Sequence, residues 1–157
     1  MKKISLTQTR EQVITRILDA PRSLVFKLLS DPNHIEKWYG PKGFTNKVTK
    51  LDFRVAGEWR YIMQAPNGSR YKSKAIYQEI IENEKIAYLE KEDSRNRPVQ
   101  VTLTFEDQGK AQTKLTLKMT VSVDDWDEKM FLGASQGYNQ AFDRLEDYIA
   151  SLKQNKK

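Results

Sequence analysis

Alternation through the segment IAYLEKE, residues 86–92, carries Ile86, Tyr88 and Glu90 to one face of a strand. A carboxylate that shares a face with isoleucine and tyrosine is a chemical signal. Turned inward, Glu90 would lie in apolar surroundings with its pKa raised by desolvation, able to orient a ligand hydroxyl or act as a general base. Turned outward at the strand's exposed end, beside Lys91 and Glu92, it would be an ordinary surface acid. Both readings stand at this level. The same alternation gathers Trp59, Tyr61 and Met63 on the segment EWRYIMQ, and Tyr71, Ser73, Ala75 and Tyr77 on RYKSKAIYQEI. With Val101, Leu103, Leu117 and Met119 from two later strands they form an apolar lining with polar tips. That makeup suits a small-molecule pocket, and equally a core whose tyrosine hydroxyls reach the rim.

Other chemistry is scarce. The 157 residues contain no cysteine and a single histidine, His34. Disulfides, thiolate metal sites, multi-histidine sites and a Cys nucleophile are thereby excluded. No G-x-S-x-G elbow and no Gly-rich phosphate loop occurs. No nucleophile–base pair is legible, no cofactor is called for, and turnover stays an open question. His34 follows a proline in a helical turn, where it is a surface residue or a gate residue. Glu58 and Arg60 take the face opposite Trp59 and read as a surface pair.

The elements that must hold these residues follow from period and punctuation. Residues 11–19, EQVITRILD, read as a strand. Pro21 opens one short helix, and Asp31-Pro32 supply the N-cap and first position of a second. From Phe44 onward the period is two. Six strands follow, FTNKVTKLDF, EWRYIMQ, RYKSKAIYQEI, IAYLEKE, VQVTLTFE and TKLTLKMTV, with Asn67-Gly68 as a hairpin turn. Clean alternation marks an antiparallel sheet with one dry and one wet face. The C-terminus is a long helix, capped by Asp124 or Asp125. Met130, Ala134, Tyr138, Phe142, Leu145, Ile149 and Leu152 lie on one stripe of it. Gly133, Ala134 and Gly137 keep its middle thin, which either lets it press onto the sheet or leaves space beneath it. The segment EKWYGPKGF, residues 36–44, sets three aromatics among glycines and a proline, in backbone too broken for helix or strand.

Hydrophobic residues are 38% and charged residues 31% of the chain, with a net charge of +6. The composition is that of a soluble globular chain with no apolar run of membrane-spanning length. MKKISLTQTREQ has no apolar stretch behind its lysines, so cytoplasm is the expected location. Lys47, Lys72, Lys74, Lys114 and Lys118 fall on the wet face, away from the aromatics, which argues against nucleic-acid binding.

The stretches KWYGPKGFT, VAGEWRYIMQAPNG and GASQGYNQAFDRLEDYIASL resemble the family of homologues of the activator of the ninety-kilodalton heat-shock chaperone's ATPase. That family lies within the START and birch-pollen-allergen superfamily, SRPBCC. The pattern Gly137, Tyr138, Phe142, Leu145 carries much of the likeness. Tyr138 stands where the family commonly has Trp, and Ala56-Gly57 where Gly-Gly is commoner. The resemblance implies an α+β helix-grip fold over residues 9–152, with residues 1–8 and 153–157 as terminal extensions. A curved antiparallel sheet of about seven strands would wrap a long C-terminal helix, with a cavity between. It adds Met130, Ala134, Gly137 and Tyr138 to the expected lining, and makes Trp38 and Phe44 a gate or plug at one end. The expected function is binding of a small apolar or amphipathic molecule such as a lipid. Two alternatives are a co-chaperone acting on a heat-shock chaperone, in a stress response, and a cavity enzyme of the cyclase or hydrolase type.

Overall fold

A computed structural model describes residues 8–94 and 97–154. The expected extensions fall largely on residues 1–7 and 155–157, outside the described residues. The order of elements is β1 (Thr9–Leu18), α1 (Arg22–Leu28), α2 (Pro32–Trp38), β2 (Thr45–Leu51), β3 (Glu58–Gln64), β4 (Arg70–Ile81), β5 (Lys85–Glu92), β6 (Val99–Asp107), β7 (Thr113–Ser122) and α3 (Glu128–Gln154). The seven strands form one sheet in the order β1-β7-β6-β5-β4-β3-β2, antiparallel at every pairing. This is an α+β helix-grip fold.

Alternation decides which face is dry. Val99, Val101, Leu103 and Phe105 of β6 are buried, as are Leu115, Leu117, Met119 and Val121 of β7. Strand twist curls the meander, and two bulges sharpen the curl: register shifts lie between Val48 and Lys50 of β2 and between Tyr77 and Glu79 of β4. The loop before β3 docks onto the second bulge. There the Ala56 amide donates to the Tyr77 carbonyl at 2.8 Å, and the Tyr77 amide to the Gly57 carbonyl at 3.1 Å. Ala56 takes φ 68°, a left-handed conformation ordinarily left to glycine.

The two helices after β1 cross from one edge of the sheet to the other. Asp31 caps α2, its carboxylate accepting from the Asn33 amide, with Pro32 at the first position. The Trp38 indole donates to the Leu28 carbonyl at 2.9 Å and ties α2 to α1.

Helix α3 has 27 residues and, at 1.5 Å each, spans about 40 Å across the concave face. It starts later than Asp124 or Asp125 would have it. The Asp127 carboxylate accepts from the Met130 amide at 2.8 Å, while the Asp124 and Asp125 amides close a turn on Ser122. The C-terminal half of α3 is packed, with Phe142, Leu145 and Ile149 buried. Arg16 on edge strand β1 clamps the helix through Asp143 at 2.9 Å and Glu146 at 2.7 Å. The N-terminal half is less filled, and the site lies there.

Candidate functional site

Four segments converge at that end: the inward faces of β3–β5, the turn following α2, residues 97–99 at the start of β6, and the first half of α3. Together they bound a cavity of about 580 Å³. Gly133 and Gly137 make the room. A Cβ built on Gly133 meets nothing within 4 Å, and one on Gly137 meets only Pro41 Cγ at 3.6 Å. Of the two sequence expectations for the thin stretch of helix, space beneath it is the one realised.

The polar floor is Glu90. It is 8% exposed, which decides between its two sequence readings in favour of the inward one. Three tyrosine hydroxyls donate to its carboxylate. Tyr138 of α3 reaches Oε1 at 3.0 Å, Tyr39 reaches Oε2 at 3.1 Å, and Tyr61 of β3 makes a short bond to Oε2. Burial pushes the Glu90 carboxyl above its ordinary pKa, while the bonds from Tyr61, Tyr138 and Tyr39 pull the other way. Burial, then the charge of Glu90, hold Tyr39, Tyr61, Tyr88 and Tyr138 well above the ordinary phenol value. No salt bridge to Glu90 exists among the described residues. This is a dry carboxylate held by neutral dipoles.

The wall divides the expected lining in two. Phe44, Tyr61, Met63, Tyr71, Ser73 and Glu90 border the cavity, as do Met130, Ala134, Gly137 and Tyr138 of α3. Trp38, Trp59, Tyr77, Tyr88, Val101, Leu103, Leu117 and Met119 do not. They lie deeper, in the core, where Trp38, Trp59, Tyr77, Tyr88, Leu103 and Leu117 surround a gap of only about 20 Å³. The physical reason is that α2 and the second half of α3 fill the closed end of the curl. The Phe142 and Trp38 rings sit 6.4 Å apart there, and Trp59 stacks on Tyr77 and lies tilted against Tyr61. Trp38, 3% exposed, is therefore a core plug and not part of a gate; Phe44 stands at the mouth against Tyr71. His34 is half-buried and away from the cavity, bonded through Nδ1 to the Tyr148 hydroxyl at 2.7 Å. Glu58 and Arg60 do form a surface pair.

Several wall residues escaped the sequence reading. Tyr39 is the main one. It ends α2 in an extended conformation, φ −73° and ψ 121°, which swings its ring off the helix and over Glu90. The signal was present in Gly40-Pro41, since a helix stops before such a pair and the last residue turns away. Val99, Trp126 and Ala141 complete the apolar wall beside Gly133, which the sequence had already marked, and Lys91, Glu92 and Arg97 mark the rim. The turn at the rim is pinned to α3: Arg144 donates to the Gly40 and Pro41 carbonyls, both at 3.0 Å, and the Lys42 amide to Gln140 Oε1. Among the described residues no cluster of three metal-ligating side chains occurs, and no helix is long and apolar enough to cross a membrane.

A sheet curled about one long helix, with a cavity under the helix's thin half, defines the helix-grip class to which SRPBCC proteins belong. The family is narrower: the model described as "Activator of Hsp90 ATPase homolog 1-like protein" matches residues 19–150, and the chain belongs to that family. Solved structures agree in fold. A protein from Chromobacterium violaceum is 23% identical with a TM-score of 0.79, over 88% of this chain and 96% of that one. One from Arthrobacter aurescens is 17% identical with a TM-score of 0.82, over 94% and 93%. A family protein from Silicibacter pomeroyi is 21% identical with a TM-score of 0.77, over 90% and 98%. No curated protein matches.

Proposed function

We propose that this protein binds a small apolar or amphipathic molecule in the cavity between the curved sheet and the first half of α3. The observation that carries this reading is the cavity of about 580 Å³ with an apolar wall and Glu90 as its polar floor. Its volume falls in the range of small-molecule sites, and a few placed polar groups on an aromatic wall are their usual chemistry. The glycines of α3 support it, because a helix carries Gly at a cost of about 1 kcal/mol each unless the missing side chain serves something.

The test is a titration of the purified protein with molecules of apolar body, followed by tryptophan fluorescence, since Trp126 borders the cavity. Saturable binding that is lost in Ala134→Trp, which fills the cavity from the helix side, supports the reading. No saturable binding, or binding that Ala134→Trp leaves intact, overturns it.

Glu90 favours a second reading, a cavity enzyme in which this carboxylate moves a proton. Its support is the buried carboxyl with a raised pKa, ringed by hydroxyls. Turnover that disappears in Glu90→Gln is its signature. The family description separately suggests stimulation of a chaperone ATPase, and an unchanged ATPase rate on adding this protein would remove that idea.

A further inference from the structure

The Glu90 carboxylate has a geometry that narrows the ligand. It is more than nine-tenths buried and faces the cavity. Its hydrogen-bonding capacity is largely taken by the Tyr39, Tyr61 and Tyr138 hydroxyls. Its acceptors are mostly occupied, and among the described residues no cation balances its charge. Neutral hydroxyls soften a buried negative charge but do not cancel it, and an unpaired ion away from water is costly.

The surroundings are suited to a positive charge that needs no hydrogen-bond acceptor. Tyr39 and Tyr61 meet edge to face at 5.6 Å beside Glu90, and Phe44, Tyr71, Trp126 and Tyr138 also border the cavity. Aromatic faces attract ammonium groups, most strongly where water is excluded. Among the described residues, the cations bordering the cavity are Lys91 and Arg97, both only half-buried at its rim. Glu92 stands with them, engaged by the Ser94 hydroxyl at 2.6 Å. The inner end of the cavity is therefore negative and dry, and the outer end is mixed in charge and wet.

We infer that the ligand is a cationic amphipath, an amine or quaternary ammonium whose positive head rests against Glu90 among the tyrosines while its apolar body lies along Met63, Met130 and Ala134. The inference rests on the proposed ligand-binding cavity and specifies its occupant. The burial that raises the Glu90 pKa is the same burial that would strengthen its attraction for an ammonium group. A bound ammonium supplies that charge where its attraction is least screened.

The experiment is a head-group series on one apolar body: 4-phenylbutyltrimethylammonium, 4-phenylbutylamine, 4-phenylbutanol and 4-phenylbutyrate, each titrated by calorimetry and tryptophan fluorescence at neutral pH. The expected result is that the two cations bind at least tenfold more tightly than the alcohol, with the carboxylate weakest. In Glu90→Gln the preference for the cations over the alcohol should shrink to within about threefold. The ranking is read on the unaltered protein, so it stands whether or not Glu90→Gln folds. An alcohol or carboxylate that binds as tightly as the cations, with all binding lost in Ala134→Trp, overturns the cation inference and leaves the cavity reading intact. If no probe binds, or Ala134→Trp changes nothing, both fall.

Discussion

Glu90 gives the clearest prediction at the scale of one residue. Its pKa is raised in the fold by burial, so the folded chain holds this proton more tightly than the unfolded chain does. The resulting stabilisation is fully present below the unfolded value of about 4.3 and disappears as pH rises through the raised folded value. Without ligand, the wild-type melting temperature should therefore rise relative to Glu90→Gln as pH falls through the window just above the ordinary carboxylate range. Parallel curves across that window would mean that Glu90 does not titrate as a buried acid. Asp143 and Glu58, held low by hydrogen bonds from Arg16 and Arg60, act in the opposite sense but are common to both proteins and cancel in the difference. A second residue-scale case is the turn before β3. Ala56 holds a left-handed conformation that costs roughly 1–2 kcal/mol, so Ala56→Gly should gain up to about 1 kcal/mol after glycine's extra chain entropy is subtracted. Gly57→Ala should do the reverse and more, since its Cβ would lie 2.0 Å from the Asp52 carbonyl. Chemical denaturation of the two variants measures both.

At the scale of elements, α3 does two jobs along its length. Its second half packs and its first half roofs a space. Gly133 has room for a methyl group and ordinary helical backbone, so Gly133→Ala should stabilise the fold by about 0.5–1 kcal/mol in urea denaturation without disturbing the core. The rim turn depends on Arg144, whose guanidinium satisfies the Gly40 and Pro41 carbonyls. Arg144→Met should cost roughly 1–2 kcal/mol and speed amide exchange in residues 40–44. Unchanged exchange there would show that the turn is held by its own backbone.

The sheet joins segments far apart in the chain. β1, next to the N-terminus, pairs along its full length with β7, so Thr9 faces Ser122 and Leu18 faces Thr113. Contacts at such separation cost loop-closure entropy before they stabilise anything, which places the chain among slow-folding topologies. Refolding followed by tryptophan fluorescence should take milliseconds to seconds, and a microsecond phase that restores the full native signal would contradict this.

Much of this was legible in the chain itself because strand and helix are local properties. The clean parity of VQVTLTFE and TKLTLKMTV placed β6 and β7 nearly to the residue, and Asp31-Pro32 marked the start of α2. Parity also carried Glu90 to the face of Ile86 and Tyr88. Whether that face was dry at Glu90 was not a local matter. Its partners Tyr61, Tyr138 and Tyr39 lie 29, 48 and 51 residues away. They meet it only because a curled sheet, a helix end and a crossing helix bring them to one point. Alternation could equally not tell the filled end of the curl from the open one, so Trp59 and Tyr77 looked the same as Tyr61 and Met63. The amino-acid order determined the faces; the packing of α2 and α3 against the bowl decided which part of the dry face became core and which became cavity, because enclosure depends on distant segments meeting.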